Sequence, residues 1–172
     1  MGIKWDAIFS NEKKQFEKMT EAEKFIYFLL LQYGSPYKWG EENPEGSDCS
    51  GAVCLALYAA TGHLIRTTAD DLYKRVFTVQ KPGAGTIRAV FYIKNGIASH
   101  VAGLVDDECI LNSQEGGARV RNLERISGWF WNQGSSTAIR GLDKAALVKL
   151  AKDGKTRYGL DPELNKYIEG AS

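Results

Sequence analysis

Apolar positions recur at helical spacing between residues 21 and 33, where Phe25, Leu29 and Tyr33, joined by Ala22 and Ile26, form one stripe. Thr20 precedes that stripe and Glu23 follows three residues later, the pattern of a capping box, and Gly34 supplies a stop. This predicts a helix over 21–33, with the charged residues before Thr20 forming a short helix of their own. After a loop over 35–47, the chain from Asp48 or Cys49 to Thr61 has almost no polar face. Ala52, Val53, Leu55, Ala56, Leu57, Ala59 and Ala60 cover all sides, which predicts a central, buried helix ended by Gly62. Thr67, Thr68, Ala69 and Asp70 open a further short helix through Tyr73 or Lys74.

From Val76 onward the period falls towards two. "RVFTVQ", "AVFYI", "HVAGLV", "ECILNS", "ARVRNL" and "GWFWN" are short runs rich in β-branched or aromatic residues, with turn signals between them. Residues 94–96 (Lys-Asn-Gly) and 105–108 (Val-Asp-Asp-Glu) are predicted hairpin connections. Helix returns at the end, with Asp143 capping "KAALVKLAKDG" and Asp161-Pro162 opening "PELNKYIEG". Helices, then antiparallel strands, then helices make an α+β fold: one buried helix packed on a mostly antiparallel sheet of five or six strands. A single domain over 1–172 is expected, with its core over about 20–142 and helical extensions over 1–19 and 143–172.

Charge and composition narrow the function classes. The formal net charge is +1, which offers no electrostatic case for nucleic acid as a partner. The longest apolar run, over 25–31, is far too short to cross a bilayer, so no membrane partner is expected either. The N-terminus lacks the apolar core of a signal peptide, and Asp6 breaks the myristoylation pattern. Three cysteines, Cys49, Cys54 and Cys109, argue against a disulfide framework. There is no C-x-x-C pair and there are only two histidines, His63 and His100, so no structural zinc site and no cofactor are expected.

The chemistry gathers around Cys49. A free thiol has a pKa near 8.5 and is mostly protonated at neutral pH, but the first turn of a helix favours the thiolate through exposed N–H groups and the helix dipole. Those N–H groups also suit a developing oxyanion. Position alone leaves packing open, because cysteine is among the most buried residue types; Cys54 and Cys109 fit that role. A nucleophile needs a base, and His100, opening the alternating run "HVAGLV", is the candidate. His63, after a helix stop, reads as a surface loop residue. Asn112, on the strand that would form a hairpin with the His100 strand, is placed to orient the imidazole without charging it.

These residues resemble a known family. "YGSPYKWGEENPEGSDCSGAV" is similar to the NlpC/P60 cysteine peptidase signature, Leu-Gly-x-Pro-Tyr-x-Trp-Gly-Gly followed by Asp-Cys-Ser-Gly. The matches are Gly34, Pro36, Tyr37, Trp39, Gly40, Asp48, Cys49, Ser50 and Gly51. "SHVAGL" resembles the segment around the family's base, the family's third polar residue falls on Asn112, and "HLIRTTADD" resembles its Leu-Pro-Arg-Thr-Ser stretch through Leu64, Arg66, Thr67 and Thr68. The likeness runs over about 24–125. Departures are Glu41 for the second glycine, Gly85-Thr86-Ile87 for Gly-Asp-Leu, Asp70 or Asp71 for a glutamine, and Asn112 for the commoner histidine.

The resemblance implies a permuted papain-like fold and hydrolysis of a peptidoglycan stem-peptide amide, most often between γ-D-glutamate and the following diamino acid. It implies Cys49 as nucleophile, His100 as base, Asn112 as the third residue, and Tyr37, Trp39, Asp48, Ser50 and Arg66 as substrate-binding residues. Trp129 and Trp131 are candidates for the groove or for core packing. Peptidoglycan stem peptides are the expected partner, and the protein is expected to be a monomer. It is expected to be made in the cytoplasm and to act on the wall after release, as a phage endolysin does, or to be extracellular if a signal was removed. A sugar–peptide amidase or acyltransferase with the same Cys–His site remains an alternative, as does a phage-tail or wall-binding module without activity.

Overall fold

The computed structural model describes residues 17–34, 47–114 and 117–154, with the side chains of Ser47 and Asp48 outside the described set. The sequence dictates the first element almost to the residue. Helix α1 spans Glu21–Leu31, and its capping box is present: Glu23 N–H donates to Thr20 Oγ1 at 3.2 Å, and Thr20 N–H donates to Glu23 Oε1 at 3.1 Å. Helix α2 spans Ser47–Thr61, so Cys49 is its third residue. Val53, Cys54, Ala56, Leu57, Tyr58 and Ala59 are all at most 3% exposed, so α2 is buried on nearly every side.

Helix α3, Ala69–Asp71, runs directly into a π-helical turn over Leu72–Val76. The expected strand at "RVFTVQ" is therefore incorrect. Thr68 caps α3, the pairs Asp70–Lys74 and Asp71–Arg75 bridge one turn, and Leu72 and Val76 bury themselves at the same spacing. Helix-stabilising contacts thus carry the chain through Val76, and Val79 keeps only one bridge, to Gly141.

Five strands follow: β1 (Arg88–Lys94), β2 (Ile97–Leu104), β3 (Cys109–Gln114), β4 (Gly117–Asn122) and β5 (Ser136–Gly141). They form one antiparallel sheet in the order β4-β3-β2-β1-β5. The β1–β2 hairpin turns at Asn95 and Gly96, whose φ values of 53° and 76° are both left-handed, as a two-residue I′ turn requires. "GWFWN" is not a strand but the end of helix α4, Leu123–Trp131. Asn122 caps it by accepting from Arg125 N–H, and Leu123, Ile126 and Phe130 pack as a helical stripe. Strand β5, "STAIRG", was not expected. It is short and half polar, and its pairing partner β1 lies more than forty residues earlier in the chain. Helix α5, Lys144–Asp153, has the expected Asp143 cap and ends at Gly154 with φ 72°. The expected helices before Thr20 and over "PELNKYIEG" lie outside the described residues, apart from the turn at 17–20.

Each sheet face has its own apolar layer. Phe91, Val101, Leu111 and Ala118 pack against α1 and α2 through Phe25, Leu29, Val53 and Leu57. On the other face Val90, Tyr92, Ala102, Leu104 and Ile110 pack against Phe130 of α4, which carries the chain from edge strand β4 across to the opposite edge. At Gly103, α1 comes so close that a Cβ would overlap Leu29 Cδ1 and lie 3.2 Å from Phe25 Cζ. Both neighbours are buried and cannot move aside. Gly103→Ala is expected to cost about 1–3 kcal/mol by overpacking, read as a lower urea midpoint with unchanged slope.

Candidate active site

The first turn of α2 is held from the side by the segment that follows the helix. Ser50 is fully buried, and its Oγ accepts a hydrogen bond from Arg66 Nη1 at 3.1 Å; the same nitrogen donates to the Thr67 carbonyl at 2.9 Å. Thr67 Oγ1 donates to Asp71 Oδ2 at 2.7 Å. Asp70 Oδ1 accepts from Ala98 N–H at 2.9 Å, two residues before His100. "RTTADD" is thus a strap that ties the turn carrying Cys49 to the start of the strand carrying His100. Cys49 itself is 2% exposed and belongs to the core layer beneath α2.

His100 is set by a β-bulge. Tyr92 pairs with His100 and Ile93 with Ala98, so Ser99 is the extra residue and the imidazole turns onto the Tyr92 face. There the ring stacks on Phe130 with centroids 5.1 Å apart and lies 5.9 Å from the Tyr92 ring. Nε2 meets Asn112 Oδ1 at 2.6 Å, and Asn112 Nδ2 donates to Gln114 Oε1 at 2.8 Å. With Oδ1 as the acceptor, Nε2 carries the proton and Nδ1 is left with its lone pair. His100 and Asn112 occupy the α4 side of the sheet, whereas the Cys49 core lies on the α2 side.

A sequence model of the NlpC/P60 family matches residues 34–140. The chain belongs to the NlpC/P60 family. Among solved structures, the P60 domain of the M. avium paratuberculosis antigen MAP1272c is similar at 16% identity, with a TM-score of 0.51, covering 74% of this chain and 96% of that one. Rv1477, a hypothetical invasion protein of Mycobacterium tuberculosis, is similar at 22% identity with a TM-score of 0.50, covering 76% of this chain and 64% of that one. These likenesses bear on the fold: an α+β NlpC/P60 domain with its buried helix on an antiparallel sheet.

Within this NlpC/P60 domain the structure places the expected site residues unevenly. It joins His100 to Asn112 and Ser50 to Arg66. Arg66 is only 4% exposed, so its guanidinium serves the interior. Asp48 lies in α2 with its side chain outside the described set, and Tyr37 and Trp39 lie outside the described residues. Trp129 and Trp131 are 53% and 52% exposed, which removes the core-packing alternative for both; Phe130 between them takes the core position. Trp131 Nε1 donates to Thr137 Oγ1 at 2.6 Å. Sequence reasoning missed Gln114 and Phe130. Strand alternation from Asn112 points to the first, and the stripe Leu123–Ile126–Phe130 points to the second. Among the described residues, no group of three or more His, Cys, Asp or Glu is arranged to hold a metal ion, and no helix is long and apolar enough to cross a membrane.

Burial lowers the His100 pKa to about 4, although the Asn112 hydrogen bond opposes the shift. The resting ring is therefore neutral at pH 7. Burial also raises the Cys54 pKa, despite the opposing charge of Arg66, and keeps that thiol protonated. For His100 the folded value lies below the ordinary 6.5, so between pH 6.5 and 4 the unfolded chain takes up a proton that the folded chain does not. Stability present above pH 6.5 is lost through that window, by about 3 kcal/mol in all. Urea titrations at pH 7 and 4.5 are expected to show this loss in the wild type and a smaller one in His100→Gln.

Proposed function

We propose that the protein is a cell-wall hydrolase that cleaves a peptidoglycan stem-peptide amide, with Cys49 as nucleophile, His100 as general base and acid, and Asn112 as the group that orients the ring. The observation that carries this reading is the buried 2.6 Å Nε2–Oδ1 bond between His100 and Asn112, which leaves Nδ1 as the acceptor for a thiol proton. Membership of the NlpC/P60 family supports the substrate class.

Cys49 Sγ attacks the amide carbonyl as its proton passes to His100 Nδ1. The oxyanion is met by backbone N–H groups of the first turn of α2. The imidazolium then gives its proton to the departing amine, which leaves an acyl-thioester. Water, deprotonated by His100, releases the acyl group and restores the thiol. Tyr37, Trp39 and Asp48 are proposed to border the substrate; Ser50 and Arg66 support that border from inside. The bond between γ-D-glutamate and the diamino acid is the proposed target.

Purified sacculi incubated with the wild type are expected to release fragments whose mass spectra show a new amino group on the diamino acid. A freed lactyl carboxylate would instead identify a sugar–peptide amidase, and new amide products an acyltransferase. Sacculi left intact by a folded wild-type protein would overturn the hydrolase reading.

A further inference from the structure

The amide of Asn112 accepts at one end and donates at the other, so turning it over inverts both bonds that it makes. In the structure Oδ1 faces His100 Nε2 at 2.6 Å, and Nδ2 donates to Gln114 Oε1 at 2.8 Å. The two bonds are linked. With Gln114 accepting, Asn112 turns its oxygen to the ring, Nε2 holds the proton and Nδ1 keeps its lone pair. In the inverted arrangement Gln114 donates to Oδ1, Nδ2 donates to Nε2, and the proton of the neutral ring sits on Nδ1. Asn112 is 4% exposed, so water has little part in the choice between the two. The far end of the line makes it, through what residue 114 presents. Residues 112 and 114 alternate onto one face of β3. The position paired with Gln114 is Gly117, so no side chain competes there for the Gln114 amide.

We propose that Gln114 is a positioning residue: as the acceptor at the end of the line, it fixes the Asn112 amide and thereby the nitrogen of His100 that carries the proton. The consequence for catalysis rests on the function proposed above, in which Nδ1 takes the thiol proton. Gln114 acts on the ring from the Nε2 side, through Asn112, and takes no part in the bonds that form and break. A ring protonated on Nδ1 has no lone pair for the thiol, so an acceptor at 114 keeps the base in its working tautomer.

Two variants separate acceptor from bulk. Gln114→Met removes the acceptor at nearly the same length, and Gln114→Glu keeps an acceptor that cannot donate when ionised. Long-range 1H–15N spectra at pH 7 read the tautomer directly, because protonated and bare ring nitrogens resonate far apart. Only His63 and His100 contribute ring signals, and the His100 ring is neutral at this pH. Wild type and Gln114→Glu are expected to show the His100 proton on Nε2, and Gln114→Met a mixture of tautomers. The initial rate on sacculi should fall in Gln114→Met by the same factor as the Nε2-protonated fraction, about two- to tenfold for the loss of one neutral hydrogen bond. Gln114→Glu should stay within about twofold of the wild type on the same scale. Urea midpoints check that the variants fold, and Gln114→Ala gives the same readout if the methionine is not accommodated. A tautomer shift in Gln114→Met, with no cleavage of sacculi by the wild type, would uphold the positioning and overturn the function. A wild-type tautomer in Gln114→Met, a rate loss without a tautomer shift, or a wild-type ring protonated on Nδ1 would overturn the positioning.

Discussion

Cys49→Ala is expected to abolish digestion of sacculi, with a loss of at least about 10³-fold in rate, because removing a nucleophile leaves only the residual effect of binding and oxyanion stabilisation. The protein should remain folded. The change removes one sulfur from the head of α2, where the side chain is 2% exposed and packs in the core layer, so a stability cost of about 1 kcal/mol is expected. Circular dichroism and the urea midpoint separate the two effects. Cys49→Ser should be nearly as inactive, since a hydroxyl is a far weaker nucleophile than a thiol against the same neutral base. A protein that keeps its rate after losing Cys49 would exclude the thiol mechanism whatever the state of His100. The pH profile gives a second check. With the His100 pKa lowered to about 4 by burial, the base form persists well below neutrality, so the acid limb of kcat/KM should fall near pH 4 to 5 and not near 6.5.

Phe91→Ala is expected to give the largest stability loss of any single change considered, about 3–5 kcal/mol. Phe91 is fully buried in β1, between β2 and β5. Its ring lies 5.3 Å from Tyr73 and 5.6 Å from Phe77, the aromatic residues of the π-helical turn and of the residue just after it. Truncation leaves a cavity under the strap that holds the first turn of α2 in place. For a domain of this size the thermal midpoint should fall by roughly 10 °C, seen in a melt followed by circular dichroism. If Phe91→Ala melts like the wild type, the two elements are not held together by this aromatic group.

The helices were legible in the sequence wherever a cap and a stripe agreed. Thr20 with Glu23, and Asp143 with Ala146, close local hydrogen bonds within one turn, and such bonds depend on nothing distant. The hairpin at Asn95-Gly96 was legible for the same reason, since two adjacent residues that tolerate positive φ encode the turn. "RVFTVQ" and "GWFWN" misled because aromatic and β-branched residues suit a strand and a buried helix face alike. Only the pairs from Asp70 and Asp71, and the cap at Asn122, decide for helix there. Strand β5 carried too little apolar pattern of its own; β1 supplies the reason it is extended.

The sequence by itself determined the α+β class, the buried helix headed by Cys49, and the spacing of His100 and Asn112, because these depend on local periodicity and on residue chemistry. Tertiary structure alone decided which sheet face each side chain serves. A single extra residue, Ser99, turns His100 onto the side of Tyr92, Asn112 and Phe130, and no period-two pattern encodes where such a bulge falls. It also drew Arg66 inward to Ser50, a contact between residues sixteen positions apart that no local periodicity encodes.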